Sequence, residues 1–460
     1  TNPKTFTLNA VNGDLIYKVT NDTAPAELVL TTPTFGTTTA TGIARYNANI
    51  NADITSDGGS PITSSGTCWG TTANPTTNCL AMDINGLAPL DTPTVASPIS
   101  PYGVIVSPDG TSVYTANYNA VGSVLMYSRN TTTGALTPLS PASIATGGSL
   151  PSSIAIAPDG TSVYVTSSSS NTISQFSRDP ATGLLTALTP ATIASNSTYG
   201  VVVSSDGKNA YVANWNNGTV SMYNRAASGE LTPLSPATIA SDVGAYGVVL
   251  SNDGTTAYAS SVNTAKFSIY RRDPSTGLLT AETPLTVTTG GRLYGMDISP
   301  DGKSIYFGNS TTNTLAMYSR NPSDGALTPM DPLTIATTGS PRLVVVSPDN
   351  TSVYVSNNNL YINMYNRNTT TGALTLAGTP VLNFGGLCYS MAFSPDGKSF
   401  YVGSKASSAV LMYSRRLSST GPFTQGRISL PANTLIHYRA YATNSKGTTY
   451  SADATFTTLP

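Results

Sequence analysis

The chain has 460 residues, of which 10% are charged, and 22 Lys and Arg against 23 Asp and Glu leave a net charge of −1. That length admits two or three domains, and a charge so near zero supplies no field for steering nucleic acid or an anionic membrane surface, which argues against both partners. No run approaches the roughly 18 apolar residues of a membrane helix and no basic-then-apolar leader precedes Thr1, so a mature, soluble chain without membrane insertion is expected.

Gly, Pro, Ser, Thr and Asn separate short Val, Tyr and Ile runs throughout, which is the texture of an all-β secreted protein. Residues 1–31 read as an N-terminal β-hairpin arm: TFTLNAVNGDLIYKVTND places two alternating strands around Asn12-Gly13, with AELVL after them. A two-stranded ribbon does not bury an apolar face by itself, so the arm must dock. Two destinations stay open, the sheet of its own chain or, by strand addition, a sheet of another copy, where head-to-tail contact builds open filaments.

Residues 32–81 continue with alternating strands and turn chemistry in ATGIARYNANINADITSDGGSPITSSGTCWGTT. Cys68 and Cys79 flank CWGTTANPTTNC at a spacing that suits a bridge across a turn, and a disulfide there implies an oxidising compartment; the alternative is two unpaired small hydrophobes. Cys388 lies in an apolar strand and reads as a buried thiol.

Residues 82–416 repeat. An S-P-D-G turn recurs with its aspartate at Asp109, Asp159, Asp206, Asp253, Asp301, Asp349 and Asp396, in steps of 50, 47, 47, 48, 48 and 47 residues. The period fits a four-stranded blade: an apolar strand such as YGVVVS, the turn, a strand such as TSVYVTS, a third like TVSMYNR and a weaker fourth, GALTPLSP. Glycine after the aspartate suits a positive φ, and Asn350 replaces it once. The last repeat lacks its fourth strand, and NGLAPLDTPTVAS (Asn85 to Ser97) copies that pattern ahead of the first, so the ring of seven is expected to close by strand overlap.

An arginine ends each third strand, at Arg129, Arg178, Arg225, Arg272, Arg320, Arg367 and Arg415, 18 to 20 residues after its blade's turn aspartate. The first and third strands run the same way, so one structural Asp–Arg pair per blade is expected on one face of the ring. At the opposite mouth the first strands begin with Tyr102, Tyr199, Tyr246, Tyr294 and Tyr389, with Ser152 and Arg342 in the other two blades. Phenols with one guanidinium suit stacking on a sugar or peptide, or they pack on one another and plug the ring. Asp297 is the one acid of an innermost strand and is expected in an isolated, water-filled channel position; with no partner carboxylates it is not read as a metal ligand.

The repeat resembles the lactonase-like seven-bladed β-propellers, which include 6-phosphogluconolactonases, carboxymuconate cyclases and surface-layer proteins with Tyr-Val-Thr-Asn repeats. VSPDGTSVYTANYN, APDGTSVYVTSSSSNTISQFSR and SSDGKNAYVANWNNGTVSMYNR carry the likeness. It implies a propeller fold and, in the enzymes, polar groups including His, Glu and Arg facing the channel. This propeller has no histidine, and its only glutamates, Glu230 and Glu282, fall in outer-strand regions, so no catalytic residue is assigned.

Residues 417–460 supply GRISLPANTLIHYRAYATNSKGTTYSADATFTTLP, and together with residues 32–81 they resemble one fibronectin type III-like β-sandwich split by the propeller. Where that family has a corner tyrosine, this chain has Leu430, Thr434 and then Ile436. His437, the only histidine, alternates outward and is expected in solvent, without companions for a metal site or a triad. Sequons at Asn21, Asn130, Asn196, Asn217, Asn309, Asn350 and Asn368 permit glycosylation.

The functional expectation is a secreted cell-surface structural or adhesive protein that self-assembles, as a filament or surface layer, through the arm and sandwich. Its partners would be itself or other surface proteins and glycans, and no cofactor is implied. The alternatives are a carbohydrate- or peptide-binding propeller module and a lactonase-like hydrolase using the Tyr-lined mouth and Arg342, with Asp297 as a further ligand-binding candidate.

Overall fold

Asp109 shows how each repeat begins. Its Oδ1 accepts the Ser107 hydroxyl at 2.5 Å and the Thr111 N–H at 3.0 Å, while Gly110 takes φ +71°, a left-handed conformation that glycine adopts without a Cβ penalty. The chain thereby reverses between Pro101–Val106 and Ser112–Asn117 and continues into Ser123–Arg129 and Leu136–Ala145, an antiparallel sheet in that order. Asn350 makes the same turn at φ +64°.

In this computed structural model the described residues are 6–11, 14–19, 30–59, 62, 64–82, 86–97, 100–288, 290–358, 361–377, 382–383, 388–405, 407–415 and 421–460. Their regular structure is entirely β. Pro89–Arg415 is one unit, and Thr1–Ala88 with Arg416–Pro460 is a second.

The first unit is a seven-bladed β-propeller. Blades one to five are four-stranded; in the sixth Leu374–Leu376 and Leu382–Asn383 both pair with the outer edge of Tyr361–Arg367. The seventh, Cys388–Phe393, Ser399–Ser404 and Ala409–Arg415, takes Leu87–Ala96 as its outermost strand, so the ring closes with a strand from ahead of the first blade. Outer strands in blades one to five run to ten residues, past the GALTPLSP pattern, and are mostly exposed where they have been described.

The second strand of every blade is buried along its whole length, because both of its faces are covered by neighbouring blades. The core is therefore a set of layers between blades. Tyr114, Val124 and Met126 of the first blade pack on Ile154, Val163, Val165 and Phe176 of the second. Val113, Leu125 and Tyr127 make the corresponding layer with Tyr401, Val410 and Met412 of the seventh.

The second unit has two sheets. One runs Thr34–Phe35, Ala48–Ser56, Gly421–Arg427, with Thr39–Thr41 also on Ala48–Ser56; the other runs Gly447–Tyr450, Leu435–Asn444, Ser64–Gly70, Cys79–Met82, with Ala454–Thr457 also on Leu435–Asn444. Ala48 and Ile50 of the first meet Ile436, Tyr438 and Phe456 of the second, a sandwich whose strands come from both ends of the sequence. Cys68 and Cys79, directly opposite in register, form a disulfide. Phe6–Val11 and Asp14–Val19 pair as a two-stranded sheet with Leu8 opposite Tyr17. The turn residues Asn12 and Gly13, and residues 26–29 of AELVL, lie outside the described residues.

Candidate functional site

The repeated charges are committed between blades rather than within them. Arg178 binds Asp109 at 2.8 Å, Arg225 binds Asp159 at 2.8 Å, Arg272 binds Asp206 at 2.9 Å and Arg320 binds Asp253 at 2.9 Å. Arg367 reaches Asp301 at 3.0 Å, Arg415 reaches Asp349 at 2.9 Å, and Arg129 closes the circle on Asp396 at 3.4 Å. Each arginine thus holds the aspartate of the preceding blade, so the seven pairs tie neighbouring turns together around the ring. The guanidinium also donates to its own blade's turn, as Arg178 Nη1 does to the Gly160 carbonyl at 3.2 Å. Burial alone would raise the Asp109 carboxyl, but hydrogen bonds from Ser107, Thr111 and Arg178 overcome it and hold the group at about 2.

A tyrosine completes the clamp and is the residue that sequence reasoning missed. Arg178 Nε donates to the Tyr114 hydroxyl at 2.7 Å, and that hydroxyl donates to the Gly183 carbonyl in Arg178's own blade at 2.7 Å. Tyr164, Tyr211, Tyr258 and Tyr306 do the same for Arg225, Arg272, Arg320 and Arg367, and Tyr401 does so for Arg129. Tyr354 accepts from Arg415. All seven stand five residues after the turn aspartate, a signal as regular as the arginines.

The opposite mouth of the channel is built from one position per inner strand, seven residues before each turn aspartate: Tyr102, Ser152, Tyr199, Tyr246, Tyr294, Arg342 and Tyr389. A glycine follows four of these tyrosines, and at two of them the neighbouring backbone requires it. A Cβ on Gly295 would lie 2.6 Å from the Arg342 carbonyl oxygen, and one on Gly200 would lie 2.9 Å from that of Tyr246, so adjacent inner strands approach closely only with glycine there. The rings consequently meet. Tyr102 stacks on Tyr389 with centroids 4.3 Å apart, Tyr199 lies 5.2 Å from Tyr246, and Tyr246 meets Tyr294 edge-on at 5.4 Å. The Arg342 guanidinium sits over Tyr294 at 4.4 Å. Beneath them is a cavity of about 230 Å³ walled by inner-strand residues, among them Ile154, Val201 and Met296.

A second ring stands behind the first, nine residues after each turn aspartate: Tyr118, Ser168, Trp215, Val262, Ser310, Asn358 and Lys405. Among the described residues, six of these backbone N–H groups donate to a carbonyl just ahead of the inner strand, as Trp215 does to Ser197 at 2.9 Å. Each side chain can then support the first-ring residue of its own blade. Tyr118 stacks on Tyr102 at 4.8 Å, Trp215 lies 5.0 Å from Tyr199, Asn358 Oδ1 accepts from Arg342 Nε at 2.7 Å, and Lys405 Nζ is 5.8 Å from the Tyr389 ring. Burial, reinforced by neighbouring phenols, raises Tyr102, and burial raises Tyr246 and Tyr199, so these hydroxyls stay neutral donors and acceptors near pH 7. The mouth offers ring faces, hydroxyls and two cations on its Arg342 and Lys405 side, an arrangement suited to stacking and hydrogen bonding.

Asp297 is one layer down, at a position that Ile105, Ala155, Val202, Val249, Val345 and Ala392 fill elsewhere. Two backbone amides hold it: Oδ1 accepts the Ile298 N–H at 2.9 Å and Oδ2 the Val346 N–H of the next blade at 2.8 Å. Burial pushes its carboxyl up to about 7, against the lowering by those two amides. Arg342 is held by Asn358 and Tyr294 instead, so the structure does not join these two candidates as a pair.

In the sandwich, His437 Nδ1 lies 2.6 Å from Asp453 Oδ2, with 18% of the side chain exposed. This corrects the expectation of a solvated imidazole: the alternation does turn it from the core, but Asp453 covers it. Asp453 Oδ1 also accepts the Asn74 N–H at 3.1 Å. Cys388 is buried, and burial raises its thiol to about 12. Of the sequons, Asn130, Asn196, Asn217 and Asn368 are exposed, Asn309 is buried, Asn350 accepts the Asp301 N–H, and Asn21 lies outside the described residues.

The family model described as lactonase, 7-bladed beta-propeller, matches residues 89–199, 186–292 and 287–388. No curated protein matches the chain. Among solved structures, a putative 6-phosphogluconolactonase from Bacteroides uniformis is 19% identical at a TM-score of 0.56, over 69% of this chain and 96% of that one. Kuenenia stuttgartiensis hydrazine synthase is 20% identical at 0.53, over 71% and 98%. The periplasmic gluconolactonase of Pseudomonas aeruginosa is 17% identical at 0.52, over 70% and 97%. At these identities the likeness is one of fold, and the three names already span different activities.

Proposed function

The chain belongs to the lactonase seven-bladed β-propeller family, and from that premise we propose that it is a secreted cell-surface structural or adhesive protein, in which copies assemble through the N-terminal ribbon and a fibronectin type III-like sandwich while the propeller serves as a rigid displayed body. The observation that carries this reading is the ribbon itself. Phe6–Val11 and Asp14–Val19 make a sheet of two strands, and their register sets Phe6, Leu8 and Ala10 opposite Val19, Tyr17 and Leu15. Six apolar positions on one face of so small a sheet require a partner surface.

Other features support it. The seven Asp–Arg–Tyr clamps use the propeller's repeated charges for cohesion, the Cys68–Cys79 disulfide suits an oxidising compartment, and four exposed sequons suit a surface glycoprotein. Sedimentation velocity and negative-stain microscopy of the full chain test the reading: polymers are expected, and a strictly monomeric chain would sink it. Hydrolysis of an aldonolactone, abolished by Arg342→Ala or Asp297→Ala, would replace it with a lactonase-like reading.

A second reading rests on the double ring at the mouth. Stacked phenols backed by Trp215 and flanked by Arg342 and Lys405 suit recognition of a sugar or peptide, which would make the displayed propeller an adhesin.

A further inference from the structure

The core of the sandwich holds three polar side chains whose strand neighbours are apolar. Thr67 is fully buried, and Gln425 and Arg427 are 6% and 7% exposed. Gln425 and Arg427 stand in register with Ile50 and Ala48 in one sheet, and Thr67 stands opposite Ala440 in the other. Ala48, Ile50 and Ala440 belong to the apolar clusters between the sheets, so the polar three occupy a water-poor layer. There the Thr67 hydroxyl donates to Gln425 Oε1 at 2.6 Å and accepts from Arg427 Nε at 2.8 Å. Arg427 Nη2 reaches both the Thr67 hydroxyl and the Thr67 carbonyl. Burial lowers the guanidinium only to about 10, so it stays a cation near pH 7. Among the described residues Arg427 forms no ion pair, and a buried cation without a carboxylate is costly to keep.

A hydroxyl held against a carboxamide, out of water and beside a cation, is placed for acyl transfer. We infer that Thr67 and Gln425 join as an intramolecular ester that ties the first half of the sandwich to the second. Thr67 Oγ1 bonds to Gln425 Cδ while its proton passes to Oε1, the acceptor it already faces. The tetrahedral carbon then collapses, the proton moves on to Nε2, and the Cδ–Nε2 bond breaks to release ammonia. Amide and alcohol become ester and ammonia, and nothing is oxidised or reduced. Arg427 favours the charge that builds on Oγ1 as it loses its proton. When Oγ1 turns a lone pair to Cδ, Nη2 keeps the Thr67 carbonyl as acceptor. The apolar clusters on either side keep water from the product. The tie spans 358 residues and encloses the whole propeller in a covalent loop, so a pull on the two chain ends runs through the ester rather than through the blades. It stands on the sandwich core alone, whether or not copies assemble.

Mass spectrometry of the full chain tests it. With the Cys68–Cys79 disulfide reduced, the intact mass is expected to fall short of the sequence mass by one ammonia. Trypsin, cutting after Arg45, Arg129, Arg416 and Arg427, is expected to leave residues 46–129 joined to residues 417–427. Hydroxylamine, which cleaves esters, should separate the two peptides in the denatured chain. Thr67→Val removes the hydroxyl and should give the full mass and two free peptides, whereas Thr67→Ser should keep the link; circular dichroism shows that each is folded. The wild-type digest decides even where the valine variant does not fold. Free peptides from the folded wild-type chain would overturn the ester, and so would loss of ammonia without the joined pair, which would place that loss at an asparagine. A joined pair that persists in Thr67→Val would remove Thr67 as the nucleophile and the inference with it.

Discussion

Arg129 of the first blade holds Asp396 of the seventh at 3.4 Å, the longest of the seven clamps, where the others measure 2.8 to 3.0 Å. The same guanidinium donates to Tyr401 at 2.8 Å, Ser399 at 2.9 Å and its own Gly110 carbonyl at 3.0 Å. It joins the two blades that the chain must bring together from opposite ends of the repeat, with Leu87–Ala96 as the other tie. Arg129→Ala leaves the buried Tyr401 hydroxyl without its donor and Asp396 without its cation. A loss of about 2 kcal/mol is expected from denaturant unfolding, in the range for hydrogen bonds to a buried charged group rather than for a buried ion pair, because the Asp396 side chain is 37% exposed. A loss no greater than that at an exposed surface arginine would show that the clamp is ornamental.

The seven turn aspartates set an acid limit. Asp109, Asp253 and Asp349 are held at about 2, and the other four are lowered, so the folded state binds protons less tightly than the unfolded chain. Their contribution is complete above the ordinary carboxylate range near 4 and is lost as pH falls through about 2. Melting temperature is accordingly expected to hold from pH 7 to 5 and to fall steeply between 4 and 2, in parallel with loss of propeller tyrosine circular dichroism.

Asp297 has the opposite sign. Its folded value of about 7 lies above the unfolded one, so the folded state favours the protonated form, and the penalty for ionising it is complete only above pH 7. Asp297→Asn removes that penalty at the cost of one amide contact at every pH. Plotted as variant minus wild type, the melting temperature should therefore rise from pH 5 to pH 8; a flat difference would show that the channel hydrates the carboxylate.

The fold was legible because the blade signals repeat: the D-G turn, the closing strand before the first repeat and the strand-end arginine are each recoverable by period alone. Period does not choose partners. Arg178 lies 19 residues after Asp159, yet it binds Asp109, because an identical repeat offers every arginine both its own aspartate and its neighbour's. Geometry between blades decides, and no spacing encodes it. Tyr114 escaped notice for a related reason, since a tyrosine in an apolar strand reads as core until its hydroxyl is placed. The second mouth ring is hidden from period because its residue changes from blade to blade, from Trp215 to Lys405. His437 was misread because alternation gives the face of a strand and not what the Asp453 segment lays over it.

Trp215 supplies the optical test of the mouth, because the chain has only one other tryptophan, Trp69, in the sandwich. In Trp69→Phe the emission comes from Trp215 alone, 5.0 Å from Tyr199 and 5.8 Å from Tyr246. A glycan selected by array screening is expected to shift that emission on titration, since a ring seated among these phenols displaces water from beside the indole. Tyr199→Ala removes one stacking face, worth roughly 1 kcal/mol, and should weaken the fitted affinity about 5-fold to 10-fold. Arg342→Ala should do the same only for ligands that bear an anionic group, because its guanidinium and the Lys405 ammonium are the cations beside Tyr294 and Tyr389. Equal weakening for neutral ligands would assign Arg342 to holding the Tyr294 ring rather than to contacting charge. An emission that no array hit perturbs would leave the rings as packing, the two mouths of the propeller then differing only in whether charge or π-stacking ties the blades together.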